Sequence, residues 1–250
     1  MRYVLALMMG EETAVIQTAS NRFFEVIFED KHLIVLNKAP GIMSQEDGSD
    51  APSLVKELSK SWGRPYVGVV HRLDRNTSGL MVYAKRTKAA SRLAEYLRQG
   101  LLKRKYRAIA WGSVPEGTLD WRDLLLKDED KNIVRVLRSL PVEGKSPALA
   151  KEAIMKITKI EELNELSLVE CELETGRSHQ IRVQCASRNF PLLGDAKYDK
   201  SFENRKIKFL RPALHSSFLQ FPHPMDTSNV LKFEKLWSND LSQMWKKLSC

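Results

Sequence analysis

Hydrophobic and polar positions in this chain alternate with a period of two in many short stretches and with a period near 3.6 in fewer, so strands should outnumber helices. Phe23-Phe24-Glu25-Val26-Ile27-Phe28 and His32-Leu33-Ile34-Val35-Leu36 predict two strands about a turn at Asp30-Lys31. A loop at Asn37-Lys38-Ala39-Pro40-Gly41 and a polar stretch from Gln45 to Pro52 follow, and then a short helix over Ser53–Trp62. Val67–Val70 and Gly79–Ala84 are apolar and predict strands. Thr87 is placed to cap a helix with Leu93, Ala94 and Leu97 on one face and Gly100 at its end. Lys105–Gly112 alternates as a strand, whereas residues 115–151 are polar and irregular, with Lys127-Asp128-Glu129-Asp130-Lys131 as a solvated turn. Further strands are predicted over Ala153–Ile160, Leu166–Leu173, Leu214–Phe221 and Val230–Phe233. A helix is predicted from near Ser178, and another over Leu241–Leu248.

Many of these connections are too short for crossover helices. The pattern therefore predicts a mainly antiparallel mixed sheet flanked by helices, an α+β fold. No internal repeat, low-complexity segment or Pro/Gly/Ser-rich linker interrupts it, so we expect an N-terminal extension over 1–20 and one catalytic domain over 21–250. Met1-Arg2 precedes only seven apolar residues, Tyr3–Met9, before Gly10-Glu11-Glu12. That is short for a signal peptide, and an N-terminal strand or a start placed too early is the expectation. Nothing later approaches the roughly 18 apolar residues of a membrane span.

Composition narrows the class of partner. Forty Lys and Arg face 31 Asp and Glu, a formal charge of +9, which favours polyanions through phosphate contacts. Cys171, Cys185 and Cys250 form no CxxC or zinc spacing, so a disulfide framework is not expected and a reducing, cytoplasmic setting is. The five histidines lack HxxxH spacing, and P-loop, GxGxxG and GxSxG motifs are absent, so metal, nucleotide and Ser-His-Asp hydrolase chemistries find little support.

Three segments could carry chemistry. His71-Arg72-Leu73-Asp74-Arg75-Asn76-Thr77-Ser78-Gly79 sits on a loop between two apolar strands, where active-site residues are commonly presented. Guanidinium groups beside Asp74 would favour the ionised carboxylate a nucleophile or base needs. Taken alone, the pattern better fits an aspartate capping a turn with its arginines in solvent. Glu174-Thr175-Gly176-Arg177-Ser178-His179-Gln180-Ile181-Arg182 suggests a turn opening a helix, a natural phosphate site, with Ser178 and Arg182 on one face; a basic helix start on the surface is the plainer reading. Lys103-Arg104-Lys105-Tyr106-Arg107 sets four cations around one ring, a weak signal for nucleic acid.

Together the three segments resemble the RluA-type family of RNA pseudouridine synthases. The likeness is carried by His71-Arg72-Leu73-Asp74 with Thr77-Ser78-Gly79, by Lys105-Tyr106 leading to Gly112, and by Gly176–Arg182. Asn37-Lys38-Ala39-Pro40-Gly41, and Leu193-Gly194-Asp195 with Tyr198, add to it, over roughly residues 24 to 235. The resemblance implies that Asp74 is the essential aspartate, Tyr106 the ring that stacks on the target base, and Arg182 the cation that pairs with the aspartate. It further implies that Arg72 fills the gap left by a flipped uridine, with His71, Arg177, His179 and Gln180 as substrate-binding residues. Such an enzyme needs no metal or cofactor, takes ribosomal or transfer RNA as partner and is expected to be a monomer.

The sequence departs from the family at Ala39, where proline is usual, at Gln184, where histidine is common, and at Arg188-Asn189-Phe190. A silent RNA-binding protein on the same fold is the main alternative. A carboxylate-dependent hydrolase is a weaker one, with Glu174 or Asp195 as its second acid.

Overall fold

The computed structural model describes residues 22–137 and 149–249. The apolar segment at 3–9 and the proposed extension over 1–20 lie outside the described residues. In chain order, β1 (Phe24–Glu29) and β2 (Leu33–Lys38) lead to α1 (Leu54–Trp62), β3 (Gly68–Val69), β4 (Ser78–Ala84) and α2 (Thr87–Arg98). Then come β5 (Lys103–Trp111), β6 (Thr118–Asp128), β7 (Ile133–Leu137), β8 (Lys151–Leu163) and β9 (Leu166–Leu173). The chain continues through α3 (Gln180–Ser187), β10 (Leu214–His223), β11 (Asp226–Glu234) and α4 (Asn239–Ser249). The fold is α+β, as the periodicity predicts.

Contacts divide the chain into two units. The first holds the described residues up to Arg104 together with Ser216–Ser238; the second holds those of Lys105–His215 together with the described residues from Asn239 on. Two of the three divisions fall inside continuous strands, β5 and β10, and the third falls between β11 and α4.

In the first unit β2 pairs antiparallel with β1 on one side and β4 on the other, β3 also pairs with β4, and β11 pairs with β10. Asp30 shapes the β1–β2 turn, its Oδ1 accepting the His32 and Leu33 N–H groups. Every residue of β4 is buried, the continuous apolar run of a strand covered on both faces. Its Leu80 and Val82 pack with Leu33, Val35, Leu93, Phe221 and Phe233. Ser53 caps α1, accepting from the Lys56 N–H. Thr87 does not cap α2: it is the first helical residue, and Arg86 at the cap position makes no side-chain cap bond.

The second unit is an antiparallel order β5-β9-β8-β6-β7. Here the structure corrects the sequence reading, because the supposedly irregular stretch after Pro115 contains β6 and β7. The acidic turn at Lys127–Lys131 joins them as a hairpin, with Asn132 in the left-handed region at φ 48°. The last helix docks through buried Leu241 and Trp245, and the Trp245 Nε1–H donates to Glu161.

Candidate active site

In the first unit, the loop after β3 carries His71, Arg72 and Asp74, and a Thr77 N–H to Asp74 carbonyl bond (3.0 Å) closes the turn into β4. Asp74 is half-buried and Arg72 exposed. The backbone on either side of Asp74 is clamped by the segment following β2. Ser44 Oγ accepts the Leu73 N–H at 3.0 Å and donates to the Leu73 carbonyl at 2.7 Å. On the other side, the Lys38 ammonium, only 1% exposed, donates to the carbonyls of Ala39, Ile42 and Arg75 at 2.8–2.9 Å. Three donors meet three acceptors, which is how a buried ammonium avoids a large desolvation cost. Gly41 and Arg75 add a reciprocal pair: the Gly41 N–H donates to the Arg75 carbonyl, and Arg75 Nε donates to the Gly41 carbonyl. Arg75 is thus committed to holding the loop's shape.

His71, expected to bind substrate, is buried beneath this loop. Its Nε2 accepts the Val82 N–H of β4 at 3.2 Å, and its Nδ1 has no partner among the described residues. Burial, with the nearby Arg104 charge second, pushes the imidazole down to about 3. The ring is therefore neutral at physiological pH and supports the loop from below. Tyr83 completes the underside, its hydroxyl donating to the Ser44 carbonyl at 2.7 Å, and burial raises its phenol far above the usual range. The Ala39 departure also has a physical reason: its N–H donates to the Phe23 carbonyl at 2.8 Å, a bond proline cannot make.

In the second unit, Tyr106 on β5 stands opposite Cys171 of β9 and is nearly fully buried. The Cys171 thiol is pushed up by its hydrogen bond with Cys185 of α3 and then by burial. The helix itself begins at Gln180, not at Ser178, because His179 takes a left-handed conformation (φ 53°) that ends the preceding turn. Ser178 and Arg182 therefore do not share a helix face.

Gln180, another residue expected to bind substrate, is buried with both ends of its amide engaged. Its Oε1 accepts from the Thr175 hydroxyl and the Arg177 N–H, and its Nε2 donates to the Ile154 carbonyl. These contacts shape the Thr175–Arg177 turn. Arg177 is exposed, with Nε donating to the Glu152 carbonyl.

Arg182 is buried and paired with Asp195, Nε to Oδ2 and Nη2 to Oδ1, both at 2.7 Å. This bidentate fork is the arrangement in which an arginine–carboxylate pair is strongest. The guanidinium also lies over the Tyr198 ring, 5.1 Å from its centre. The Tyr198 hydroxyl accepts the Val134 N–H of β7 at 2.9 Å and stands 2.7 Å from His179 Nδ1. Arg182, Asp195, Tyr198 and His179 thus form one cluster tied to the β6–β7 hairpin. The sequence marks Asp195 and Tyr198 as part of a motif, but it gives Tyr198 no role and Asp195 only that of a hydrolase's possible second acid. The signal that links Arg182 to Asp195 is physical: a buried arginine on a helix requires a buried acid. Asp195 is spent on Arg182, which removes it as the second acid of a hydrolase.

Two departures converge. Gln184 of α3 and Arg188, the residue that follows the helix, both reach Asp123 of β6, the amide at 2.6 Å and the guanidinium at 2.8 and 3.2 Å. They bind the end of the helix to the hairpin. Among the described residues no group of three His, Cys, Asp or Glu side chains is placed to hold a metal ion.

Residues 32–187 match the RNA pseudouridylate synthase family. The chain is 33% identical over 239 residues to ribosomal large subunit pseudouridine synthase D of Zymomonas mobilis, covering 90% of this chain and 72% of that one. It is 32% identical to an uncharacterized RNA pseudouridine synthase, YlyB, of Bacillus subtilis, with the same coverage. The fold is similar to that of human RNA pseudouridylate synthase domain containing 4, with a TM-score of 0.71 at 21% identity, covering 90% of this chain and 92% of that one.

Proposed function

The chain belongs to the RNA pseudouridylate synthase family and is an RNA-modifying isomerase; from that premise we propose that it acts on ribosomal or transfer RNA with Asp74 as its essential carboxylate. The observation that carries the assignment of Asp74 is the double clamp on its neighbours, Ser44 on Leu73 and Lys38 on Arg75. A turn that merely crossed the surface would not need a fully buried lysine to hold it. The names of the bacterial relatives favour ribosomal RNA as the substrate. The organisation proposed is one catalytic domain over 21–250, working as a cytoplasmic monomer without metal or organic cofactor.

The reaction divides into steps that these residues can serve. The target uridine leaves its stack at a cost of a few kcal/mol; Arg72 fills the gap and Tyr106 receives the base on its face. The bond between the ribose C1′ and N1 of uracil then breaks. Asp74 acts by adding covalently to the sugar or the base, or by removing a sugar proton to give a glycal. The base turns, C1′ bonds to C5, the C5 proton leaves and N1 takes up a proton. Tyr106 is the candidate base for that last transfer, and Arg182 is the candidate charge partner of Asp74. His179 and Arg177 are proposed to contact the RNA; the proposal for His71 and Gln180 is narrower, that they hold the loops that do.

The test is to map pseudouridines in total RNA from cells with and without the gene, and to repeat the conversion with purified wild-type and Asp74→Asn protein. The expected result is one or a few uridines that lose modification without the gene and regain it only with the wild-type enzyme. Turnover by pure Asp74→Asn protein would overturn the assignment.

A further inference from the structure

The segment after Asp195 has a construction that the reaction above does not use, and it lies outside the residues that match the family. Tyr198 and Asp199 donate their N–H groups to the Asp195 carbonyl, starting a turn from which the chain runs out and returns at Arg211. The return is tight: a side-chain carbon on Gly194 (φ +78°) would meet the Arg211 carbonyl oxygen at 2.1 Å and that of Phe209 at 2.7 Å. Residues 195–210 therefore leave and rejoin the body at one point, the form of an Ω-loop, a class that is frequently functional.

Its interior is fixed. Arg205 is paired with buried Asp199 and stacked 4.3 Å above the Trp111 ring. Arg211 is buried and forks onto Asp240 of α4 at 2.8 and 2.9 Å. Lys208 Nζ donates to the carbonyls of Phe202 and Glu203 and lies 5.0 Å from the Phe202 ring centre. These contacts use up the loop's arginines. What remains outward is different in character. Lys197, Lys200, Lys206 and Lys208 are all exposed, and none has a carboxylate partner among the described residues, whereas Glu203 is the one exposed acid within the loop. Leu210, beside the loop's closure, is 101% exposed, the most exposed large apolar side chain among the described residues.

A rigid, cationic loop presenting one bare aliphatic side chain matches the needs of a nucleic-acid contact. Lysines neutralise phosphates, and an apolar wedge enters a groove or an opened base step. Preorganisation lowers the ordering cost of binding. We infer that the 195–211 loop is a second RNA-contacting surface, gripping the phosphate backbone through Lys200 and Lys206 and pressing Leu210 against the bases. This rests on the reading of the chain as an RNA enzyme. It also places RNA contact at the base of the loop whose first residue, Asp195, holds Arg182.

The experiment uses the full chain and a fluorescein-labelled RNA hairpin with a uridine-containing loop. Anisotropy titrations compare wild type, Lys200→Glu/Lys206→Glu and Leu210→Ser across a salt series. All three positions are exposed, so unchanged thermal melting is the control for folding. The expected result is about a ten-fold loss of affinity for the double variant, with a log K against log salt slope shallower by about 1.5 to 2. Leu210→Ser should weaken binding with the slope unchanged. Wild-type affinity and slope in both variants would overturn the inference and leave a protein as the partner of the loop. Pseudouridine formation in total RNA, measured on the same proteins, separates the two readings. Variants that bind and isomerise like wild type defeat the loop proposal alone. Weakened binding with no isomerisation even by wild type supports the loop and defeats the enzyme assignment.

Discussion

At the scale of single residues, the side chains with the least freedom are those that hold others. Asp195 is fully buried, and both its oxygens are taken by Arg182. Removing one partner of a buried pair leaves an uncompensated charge, at a cost of about 3–5 kcal/mol. Asp195→Asn should therefore lower the melting temperature by several degrees. With Arg182 assigned to catalysis, it should also reduce the single-turnover rate at saturating RNA while affinity stays within a few-fold. An unchanged rate in a destabilised protein would reduce the pair to a structural one.

His71 gives a pH signature. Its folded-state value, about 3, lies below the ordinary histidine range, so the unfolded chain binds a proton that the native protein does not. Stability from this group is complete above the unfolded value near 6.5 and is lost as pH falls from there toward 3. The loss expected by pH 5 is about 2 kcal/mol. Urea titrations at pH 7 and pH 5 should show this decrement in wild type and a smaller one in His71→Gln; equal decrements would mean that the imidazole is not held neutral.

At the scale of elements, the sequence was legible where a strand's faces differ cleanly. Leu166–Leu173 is found as predicted, and β1, β2, β4 and β10 fall within a residue or two. The failure at β6 has a specific cause. Its inward positions include Asp123 and Lys127 beside Trp121 and Leu125, so polar residues interrupt the apolar face. Asp123 can face inward because Gln184 and Arg188, sixty residues later, satisfy it. No local pattern reveals such a partner. The start of α3 was misplaced for a similar reason: the left-handed His179 is held through Tyr198, outside any window around Ser178. The candidate site was legible as motifs, Asp74, Tyr106 and Arg182 among them, while the supports under it were not. Lys38, Ser44 and His71 act through backbone atoms, which carry no sequence signature. In β4, Gly79 takes φ +121°, and a side-chain carbon there would fall 2.3 Å from the Ser216 carbonyl oxygen. Gly79→Ala should therefore displace β10 or β4 next to the Asp74 turn. The expected outcome is a loss of more than about 3 kcal/mol in stability or insoluble protein; a melting temperature equal to wild type would contradict the close approach.

At the scale of the whole molecule, the positive charge and the strand-rich pattern indicated class and fold before any detail was known. They could not indicate how the chain is threaded. The first unit's core is built from Leu33, Val35, Leu80 and Val82, but also from Leu219, Phe221, Leu231 and Phe233, which follow the second unit in sequence. This has a consequence for biosynthesis. When the ribosome has made residue 104, the apolar surfaces of β4 and α2 exist without the strands that will cover them. At about 5–20 residues per second, the remaining pieces arrive on the order of ten seconds later. For that interval the nascent chain carries an open hydrophobic face, and the last strand pair closes the part of the molecule that was made first.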